Sequence, residues 1–193
     1  MPLLVFARLA ERFNLFKVSE DLKKCIYVTD QMKADIPHSY ILILIAAEDH
    51  RFLYHYGIDP IGIIRAIFIR FTKKQIQGAS TIEQQLVRVI LNRYERTLYR
   101  KIKEQILAIN LSKIISKENI AITYLSIAHY GTYYQGKKGV QQIIHKNIHE
   151  ATREDIINII ARLKYPEPIT HTYLWKQKLQ RRINHIEAKI SFI

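Results

Sequence analysis

The stretch STIEQQLVRVILNRYERTLYRKIKEQILAINLSKIIS, residues 80–116, decides the fold class of this chain. Apolar side chains recur along it every three or four residues, the spacing that places them on one face of an α-helix. The repeat consists of Ile82, Leu86, Val89, Ile102, Ile106 and Ile109. The stretch therefore predicts one or two long helices. Ser80 and Glu83 have the spacing of a capping box at the first helix start.

The rest of the chain continues the helical pattern, because turn signals are scarce: the 193 residues include 6 glycines and 5 prolines. Further helices are predicted for two short segments within residues 1–35 and for residues 39–47, 117–128, 152–164 and 173–193. Thr152 is the predicted cap of the helix that runs to about Lys164. The glycines at positions 131, 136 and 139 predict a turn region, and residues 72–77 are expected to be exposed. No run of alternating strands is present, so the fold class is mainly α.

Composition indicates a folded domain with an anionic partner. Hydrophobic residues make up 48 % of the chain, and the formal net charge is +13. Such a surplus fits nucleic acid, anionic lipid headgroups or a phosphate-bearing substrate. The single cysteine, Cys25, excludes an internal disulfide. The apolar, uncharged run at residues 36–47 is shorter than the ~18–20 residues that span a bilayer, so this sequence is expected to carry no anchor.

Residues 58–71, IDPIGIIRAIFIRF, are apolar on nearly every side, and only Arg65 and Arg70 interrupt the pattern after Pro60. A helix without a polar face is usually buried in a protein core. A short one with basic residues can instead lie in a membrane interface. The segment alone leaves both interpretations open.

The stretch AAEDHRFLYHYGID, residues 46–59, is the densest in candidate chemistry. The adjacent carboxylates Glu48 and Asp49 follow an apolar segment, which suits either a general base or a solvated helix end. Together with His50 and His55 they match neither HExxH nor a Cys/His zinc pattern. A divalent cation that bridges a carboxylate and a substrate phosphate fits better.

A second cluster is basic. Arg96, Arg100 and Lys103 stand at i, i+4 and i+7 and are predicted to share a helix face, with Glu104 placed to pair with Arg100. The cluster is either a solvated, salt-bridged surface or a clamp for phosphate. Residues 78–85, GASTIEQQ, form a helix entry whose amides can attract anions, but they lack the GK[ST] ending of a Walker loop.

In this order, the three clusters resemble the signature of glycosyltransferase family 51, found in monofunctional transglycosylases and class A penicillin-binding proteins. The first motif, EDxxFxxHxGxD, is matched by Glu48, Asp49, Phe52, His55, Gly57 and Asp59. The second, GGSTIxQQLxKN, is present as GASTIEQQLVRV, and the third, RxxxRKxxE, is matched by Arg96, Arg100, Lys101 and Glu104. A fourth is matched loosely by KENIAITYLSIAHYG, and a fifth survives only as IIARLKYPEP.

The resemblance covers roughly residues 28–170, between a lead-in at 1–27 and a basic helical tail at 171–193. Several positions depart from the family pattern. They are Ala79 for glycine, Glu83 for a small hydroxyl residue, Arg88 for lysine, Val89 for asparagine, Ile122 for glutamate and Ser126 for asparagine. These departures affect the second and fourth motifs and leave the carboxylates Glu48 and Glu104 in place.

The resemblance implies a lysozyme-like, two-lobed helical domain that polymerises lipid II into β-1,4-linked glycan strands. Glu48 would be the general base, and Glu104 would assist at the donor phosphate. The pyrophosphate that leaves would be met by Arg88, Arg96, Arg100 and Lys101, with Mg²⁺ or Mn²⁺ as a possible helper. Substrate contacts or support of the site are implied for Asp49, Phe52, His55, Ser80, Thr81, Gln84 and Gln85.

The resemblance also implies a location and partners. Lipid II is polymerised on the outer face of the bacterial cytoplasmic membrane, although no anchor or export signal is visible in this sequence. Residues 58–71 would contact the membrane, and cell-wall synthesis proteins would be partners. Three rival interpretations remain: a weakened homologue that binds lipid II without polymerising it, a cleavage enzyme, and a nucleic-acid-binding domain. The last rests on net charge alone, so no nucleic-acid partner is expected.

Overall fold

The computed structural model describes residues 2–13, 17–32, 34–73 and 78–191. Within these ranges the chain forms ten α-helices and no β-strand beyond two isolated bridges. The helices are α1 (Pro2–Arg12), α2 (Val18–Gln31), α3 (His38–Glu48), α4 (Pro60–Lys73), α5 (Ile82–Leu91), α6 (Leu98–Ile114), α7 (Lys117–Ile127), α8 (Gly136–Ile144), α9 (Arg153–Lys164) and α10 (Tyr173–Ile190). The predicted mainly α fold class is confirmed.

None of the helices in these ranges combines the length and the apolar character that a membrane span requires. The prediction of exposure for residues 72–77 falls mostly on 74–77, which lie outside the described residues.

The chain divides into two compact units. Unit 1 comprises Met1–Gln31 and Arg51–Ile120. In it α5 packs on α6, and α1 and α2 pack on α6 as well. Leu86, Leu107 and Leu111 are fully buried in this core. Four members of the predicted apolar repeat are buried, as one face of each helix requires, and two are half-buried. The buried ones are Ile82, Leu86, Ile106 and Ile109, and the half-buried ones are Val89 and Ile102.

The stretch that decides the fold class is two helices rather than one. Helix α5 ends where Asn92 adopts a left-handed conformation with φ of 51°. Helix α6 begins at Leu98 and is capped by Thr97, whose side chain accepts a hydrogen bond from the Arg100 amide at 3.2 Å. Arg96 therefore precedes α6 and is exposed. The prediction that it shares a helix face with Arg100 and Lys103 is wrong, because the N-cap separates it from the helix.

The predicted capping box at Ser80 and Glu83 is also wrong. Thr81 is the N-cap of α5, and its side chain accepts a hydrogen bond from the Gln84 amide at 3.3 Å. Glu83 turns inward, is completely buried and forms an ion pair with Lys117. A buried carboxylate is stabilised more by a cationic partner than by the amides of an exposed helix end.

Unit 2 comprises Met32–His50 and Ala121–Ile193. Here α3 packs on α9 and α10, α9 packs on α10, and α8 packs on α9. The predicted cap at Thr152 is confirmed as a complete capping box with Asp155. The predicted turn region is partly wrong, because α8 begins at Gly136. This glycine has φ of +58°, and a Cβ there would lie 2.2 Å from the Ser126 carbonyl oxygen.

Helix α4 carries the apolar segment, and its described side chains are largely exposed. Five of its large apolar side chains have exposed fractions from 52 % to 81 %, namely Ile61, Ile64, Ile67, Phe68 and Phe71, and Ile63 and Ile69 are half-buried. The interpretation of this segment as a deeply buried core helix is therefore wrong. An exposed apolar face of this size usually marks a surface that meets a partner or a membrane.

Candidate active site

Glu104 lies at the centre of a cationic cluster in unit 1, formed with Arg88, Arg100 and Lys101. Arg88 donates from Nε and Nη2 to the two carboxylate oxygens of Glu104, both at 3.0 Å. Lys101 Nζ donates to Oε1 at 3.0 Å, and Arg100 Nη1 donates to Oε2. Three cations thus meet one buried carboxylate, so the cluster keeps an excess of positive charge and can attract a phosphate.

Burial affects the lysine of this cationic cluster. It lowers the pKa of Lys101 below its ordinary value, an effect that Glu104 opposes and that Arg88 and Arg100 reinforce. A lysine that is partly desolvated and surrounded by cations holds its proton less tightly than one in water. Lys101 therefore offers a positive charge to an anion only as long as it remains protonated.

Side chains of the helix entry hold Lys101 in place. Its Nζ donates to Ser80 Oγ at 3.1 Å and to Gln84 Oε1 at 2.5 Å. Gln84 and Thr81 are buried, and both donate to the Gly57 carbonyl oxygen, at 3.4 Å and 2.7 Å respectively. These polar side chains therefore connect the first, second and third motifs within unit 1.

Gly57 allows the loop of the first motif to lie against α6. Its φ is +77°, and a Cβ at this position would lie 2.2 Å from the Ala108 carbonyl oxygen. Only glycine fits such a left-handed conformation with so close a backbone contact. Nearby, Phe52 and His55 are buried, with ring centroids 6.4 Å apart in an edge-to-face arrangement.

Asp59 completes the first motif at the start of α4. Burial acts to raise its pKa, but hydrogen bonds from the Gly62 amide and from Arg51 outweigh burial and hold the pKa below its usual range. Arg51 Nε lies 3.3 Å from Asp59 Oδ1. The ionised carboxylate therefore stabilises the N-terminus of the apolar helix.

A cavity of about 270 Å³ joins the cationic cluster to the apolar helix. Lys101 and Ser80 line it on the polar side, and Ile63 and Ile67 of α4 line it on the apolar side. Arg70 also contributes to the lining. Such a cavity suits an amphiphilic ligand with a charged group beside an apolar chain.

Glu48 ends α3 in unit 2, where it is half-buried. Asp49 is the buried C-cap of the same helix, and its amide donates to the Ile45 carbonyl oxygen at 3.0 Å. Arg182 of α10 donates from Nη2 to Glu48 Oε1 at 2.5 Å. The carboxylate is thereby fixed by a residue from the far end of the chain.

Two features of the structure were missed by the sequence analysis. Arg182 lies with Leu179, Ile183 and Ile186 on the buried face of α10. An arginine at a core position of an amphipathic helix is a detectable signal, because such a charge needs a buried partner. Glu83 is the other missed feature, and its pairing with Lys117 has no signal in local spacing.

The structure brings together part of the predicted site. Within unit 1 one connected hydrogen-bonded set includes Ser80, Thr81, Gln84, Arg88, Arg100, Lys101 and Glu104. Gln85 is half-buried on α5, and Arg96 is exposed outside this set. The roles of all these residues toward substrate remain predictions.

Comparison with known proteins indicates the class of protein to which this chain belongs. A family model described as transglycosylase matches residues 19–191. Penicillin-binding protein 1A of Aquifex aeolicus is 36 % identical over 149 residues, 76 % of this chain and 20 % of the relative. The Escherichia coli protein of the same name is 36 % identical over 149 residues, 76 % of this chain and 18 % of the relative. Penicillin-binding protein 1A of Rickettsia felis is 38 % identical over 142 residues, which are 69 % of this chain and 18 % of the relative.

The helical fold and these matches define the class of protein as a transglycosylase domain. The chain belongs to the transglycosylase family. The resemblance drawn from the motifs is thereby confirmed. The chain spans about a fifth of the length of the curated relatives that it matches.

Proposed function

We propose that this domain polymerises lipid II into β-1,4-linked glycan strands and releases undecaprenyl pyrophosphate. The observation that carries the proposal is the cavity shared by Lys101 and the apolar side of α4. A lipid-linked pyrophosphate has both features that this cavity suits, a dense negative charge and an apolar chain.

The proposed chemistry begins at Glu48. Its carboxylate takes the proton from the 4-hydroxyl of the acceptor's terminal sugar, and that oxygen attacks the anomeric carbon of the donor. The new bond forms as the bond from that carbon to the pyrophosphate oxygen breaks. Attack opposite the leaving group inverts the configuration and gives a β linkage.

The leaving group needs positive charge, because the pyrophosphate becomes more negative as the bond breaks. Arg88, Arg100 and Lys101 are already oriented by Glu104, so little rearrangement is needed when the phosphate arrives. In this proposal Glu104 orients the cations. Exposed Arg96 would act only after its loop approaches the substrate.

A divalent cation is proposed here only as a companion of the substrate. Both carboxylate oxygens of Glu104 accept hydrogen bonds from Arg88, Arg100 and Lys101. The cationic cluster therefore does not fit the role of a protein-held metal site. Mg²⁺ or Mn²⁺ would arrive on the substrate pyrophosphate, and no step of the mechanism is assigned to it.

We also propose that α4 contacts the membrane at the outer face of the bacterial cytoplasmic membrane. Its exposed isoleucine and phenylalanine side chains would enter the lipid, and the net charge of +13 would favour an anionic surface. The lipid chains of the substrate would then stay in the bilayer while its sugars reach the domain. Cell-wall synthesis proteins remain proposed partners.

The test is polymerisation of fluorescent lipid II in detergent with Mg²⁺ or Mn²⁺. Wild type is compared with Glu48→Gln and with the control Glu187→Gln, which changes an exposed glutamate of α10. Strands from wild type and the control, but not from Glu48→Gln, support both the activity and the base. Equal strand formation by Glu48→Gln contradicts the role of Glu48.

A second outcome would favour the weakened homologue. The departures at Ala79, Val89, Ile122 and Ser126 are the observations on which this alternative rests. If wild type binds lipid II but makes no strands, the domain is a binding protein. Digestion of any strands by a muramidase that cuts β-1,4 bonds tests the stereochemistry.

A further inference from the structure

Arg182 is a buried arginine on the otherwise apolar face of α10. It lies on the face of α10 that contains Leu179, Ile183 and Ile186, and it is 8 % exposed. Its Nη2 donates to Glu48 Oε1 at 2.5 Å and to the Ala47 carbonyl oxygen at 3.0 Å. One nitrogen thus holds both the side chain of Glu48 and the backbone next to it.

The surroundings of Arg182 make this pairing specific. The groove that Arg182 lines, of about 370 Å³, is otherwise basic, with Lys164, Lys178, Arg181 and His185 in its wall. Like charges repel, so the guanidinium is best stabilised on the side of Glu48. Lys189 Nζ adds a second donor to the Ala47 carbonyl oxygen at 3.4 Å.

A purely structural role explains only part of this geometry. The end of a helix needs donors for its last carbonyl groups, and Arg182 supplies one to α3. However, Arg182 Nε is buried and makes no hydrogen bond within the described part of the chain. An unsatisfied buried donor lowers stability and is more often retained where function requires the side chain.

We propose that Arg182 is a positioning residue for Glu48: it holds the carboxylate in the orientation from which it accepts the proton of the acceptor hydroxyl. The inference rests on the proposed role of Glu48 as general base. A base must lie within hydrogen-bond reach of the proton it takes, so a carboxylate that rotates freely reacts more slowly. Arg182 itself does not touch the reacting atoms.

The test compares Arg182→Gln and Arg182→Lys with Arg181→Gln, which removes the neighbouring exposed arginine. We expect Arg182→Gln to lower kcat about 100-fold while KM stays within about threefold, because substrate contacts are unchanged. Arg182→Lys should recover part of the loss, since it keeps one donor. Arg181→Gln should stay within about twofold of wild type.

A double-mutant cycle separates positioning from folding. Glu48→Asp keeps a carboxylate but shortens it, so the guanidinium no longer holds it. If Arg182 acts through Glu48, adding Arg182→Gln to Glu48→Asp should lower kcat only about twofold further. The proposal would be overturned if the loss of kcat in the double variant equalled the product of the losses in the two single variants. A normal kcat in Arg182→Gln would overturn it as well.

The readouts also separate this proposal from the proposed function. If wild type makes no strands, the proposed function itself fails. If wild type is active, Glu48→Gln is inactive and Arg182→Gln is normal, only the positioning role fails. The melting temperature and the binding of labelled lipid II, measured for every variant, identify any loss of activity that comes from unfolding. If Arg182→Gln is unfolded, Arg182→Lys is compared with wild type in its place.

Discussion

Arg88 engages both carboxylate oxygens of Glu104, with Nε and Nη2 each 3.0 Å from its acceptor. This paired geometry is available to a guanidinium but not to an ammonium group. The residue stands where the family motif has lysine, so this chain combines the usual charge with a fixed orientation.

Substitution of Arg88 should separate the effect of charge from that of geometry. Arg88→Met removes a cation that meets the leaving pyrophosphate, and we expect kcat to fall about 100-fold. Arg88→Lys keeps the charge and should cost about tenfold or less. Initial rates of lipid II polymerisation provide the measurement, with Arg153→Lys, which changes an exposed residue of α9, as the control. Equal rates for the methionine and lysine variants would contradict the role of charge.

The lowered pKa of Lys101 predicts opposite effects of alkaline pH on binding and on stability. As pH rises through this pKa, below the ordinary value of 10.5, Lys101 loses its charge and substrate affinity should fall. The unfolded chain holds the same proton more tightly, so the contribution of Lys101 to the free energy of unfolding rises with pH in that window. Lys101→Arg stays protonated and should remove both trends. Titrations of labelled lipid II binding and urea unfolding at several pH values test this.

The buried ion pair of Glu83 and Lys117 should dominate the stability of unit 1. Lys117→Met leaves the completely buried Glu83 without its cation, and we expect a loss of about 3–5 kcal/mol in the free energy of unfolding. Adding Glu83→Gln should restore much of the loss, because no charge is then left unpaired. Urea unfolding measures both, with Lys138→Met at an exposed site as the control. A loss below about 1 kcal/mol would show that the pair contributes little.

Gly57 should tolerate no side chain. Gly57→Ala combines a left-handed backbone with a Cβ that would lie 2.2 Å from the Ala108 carbonyl oxygen. We expect a loss of about 2–5 kcal/mol in the free energy of unfolding. Gly78→Ala is the matched control, because a Cβ there meets nothing within 4 Å. Similar stability of the two variants would refute the steric argument.

The exposed face of α4 should govern membrane binding. Ile64→Glu combined with Phe71→Glu places two charges on that face, and we expect binding to anionic vesicles to weaken at least about tenfold, since each side chain contributes about 1.5–3 kcal/mol on full burial. Ile169→Glu with Leu174→Glu changes two exposed apolar residues of unit 2 and serves as the control. Vesicle co-sedimentation gives the measurement. If both double variants lost vesicle binding equally, the added negative charge alone would explain the loss, and the face of α4 would have no special role.

The helices were predictable where a local pattern decided them. The repeat of apolar residues located α5 and α6, and the Thr152 cap located the start of α9. The start of α5 was not predictable, because Ser80 and Thr81 both offer a hydroxyl group that can cap the helix. The burial of Glu83 in the tertiary structure decided that Thr81 is the N-cap. The exposure of α4 was equally undetermined, since an apolar sequence fits a core or a membrane surface alike.

The candidate site divides in the same way. The sequence by itself determined the family, the mainly α fold class and the identity of the first-motif carboxylates, because these depend on residue types at fixed short spacings. Only the tertiary structure decided that Arg88, Arg100 and Lys101 meet at Glu104, and that Arg182 holds Glu48 across 134 positions of the chain. Contacts between residues so far apart in the chain depend on how the helices pack, and the spacing of residues along the sequence does not determine that packing.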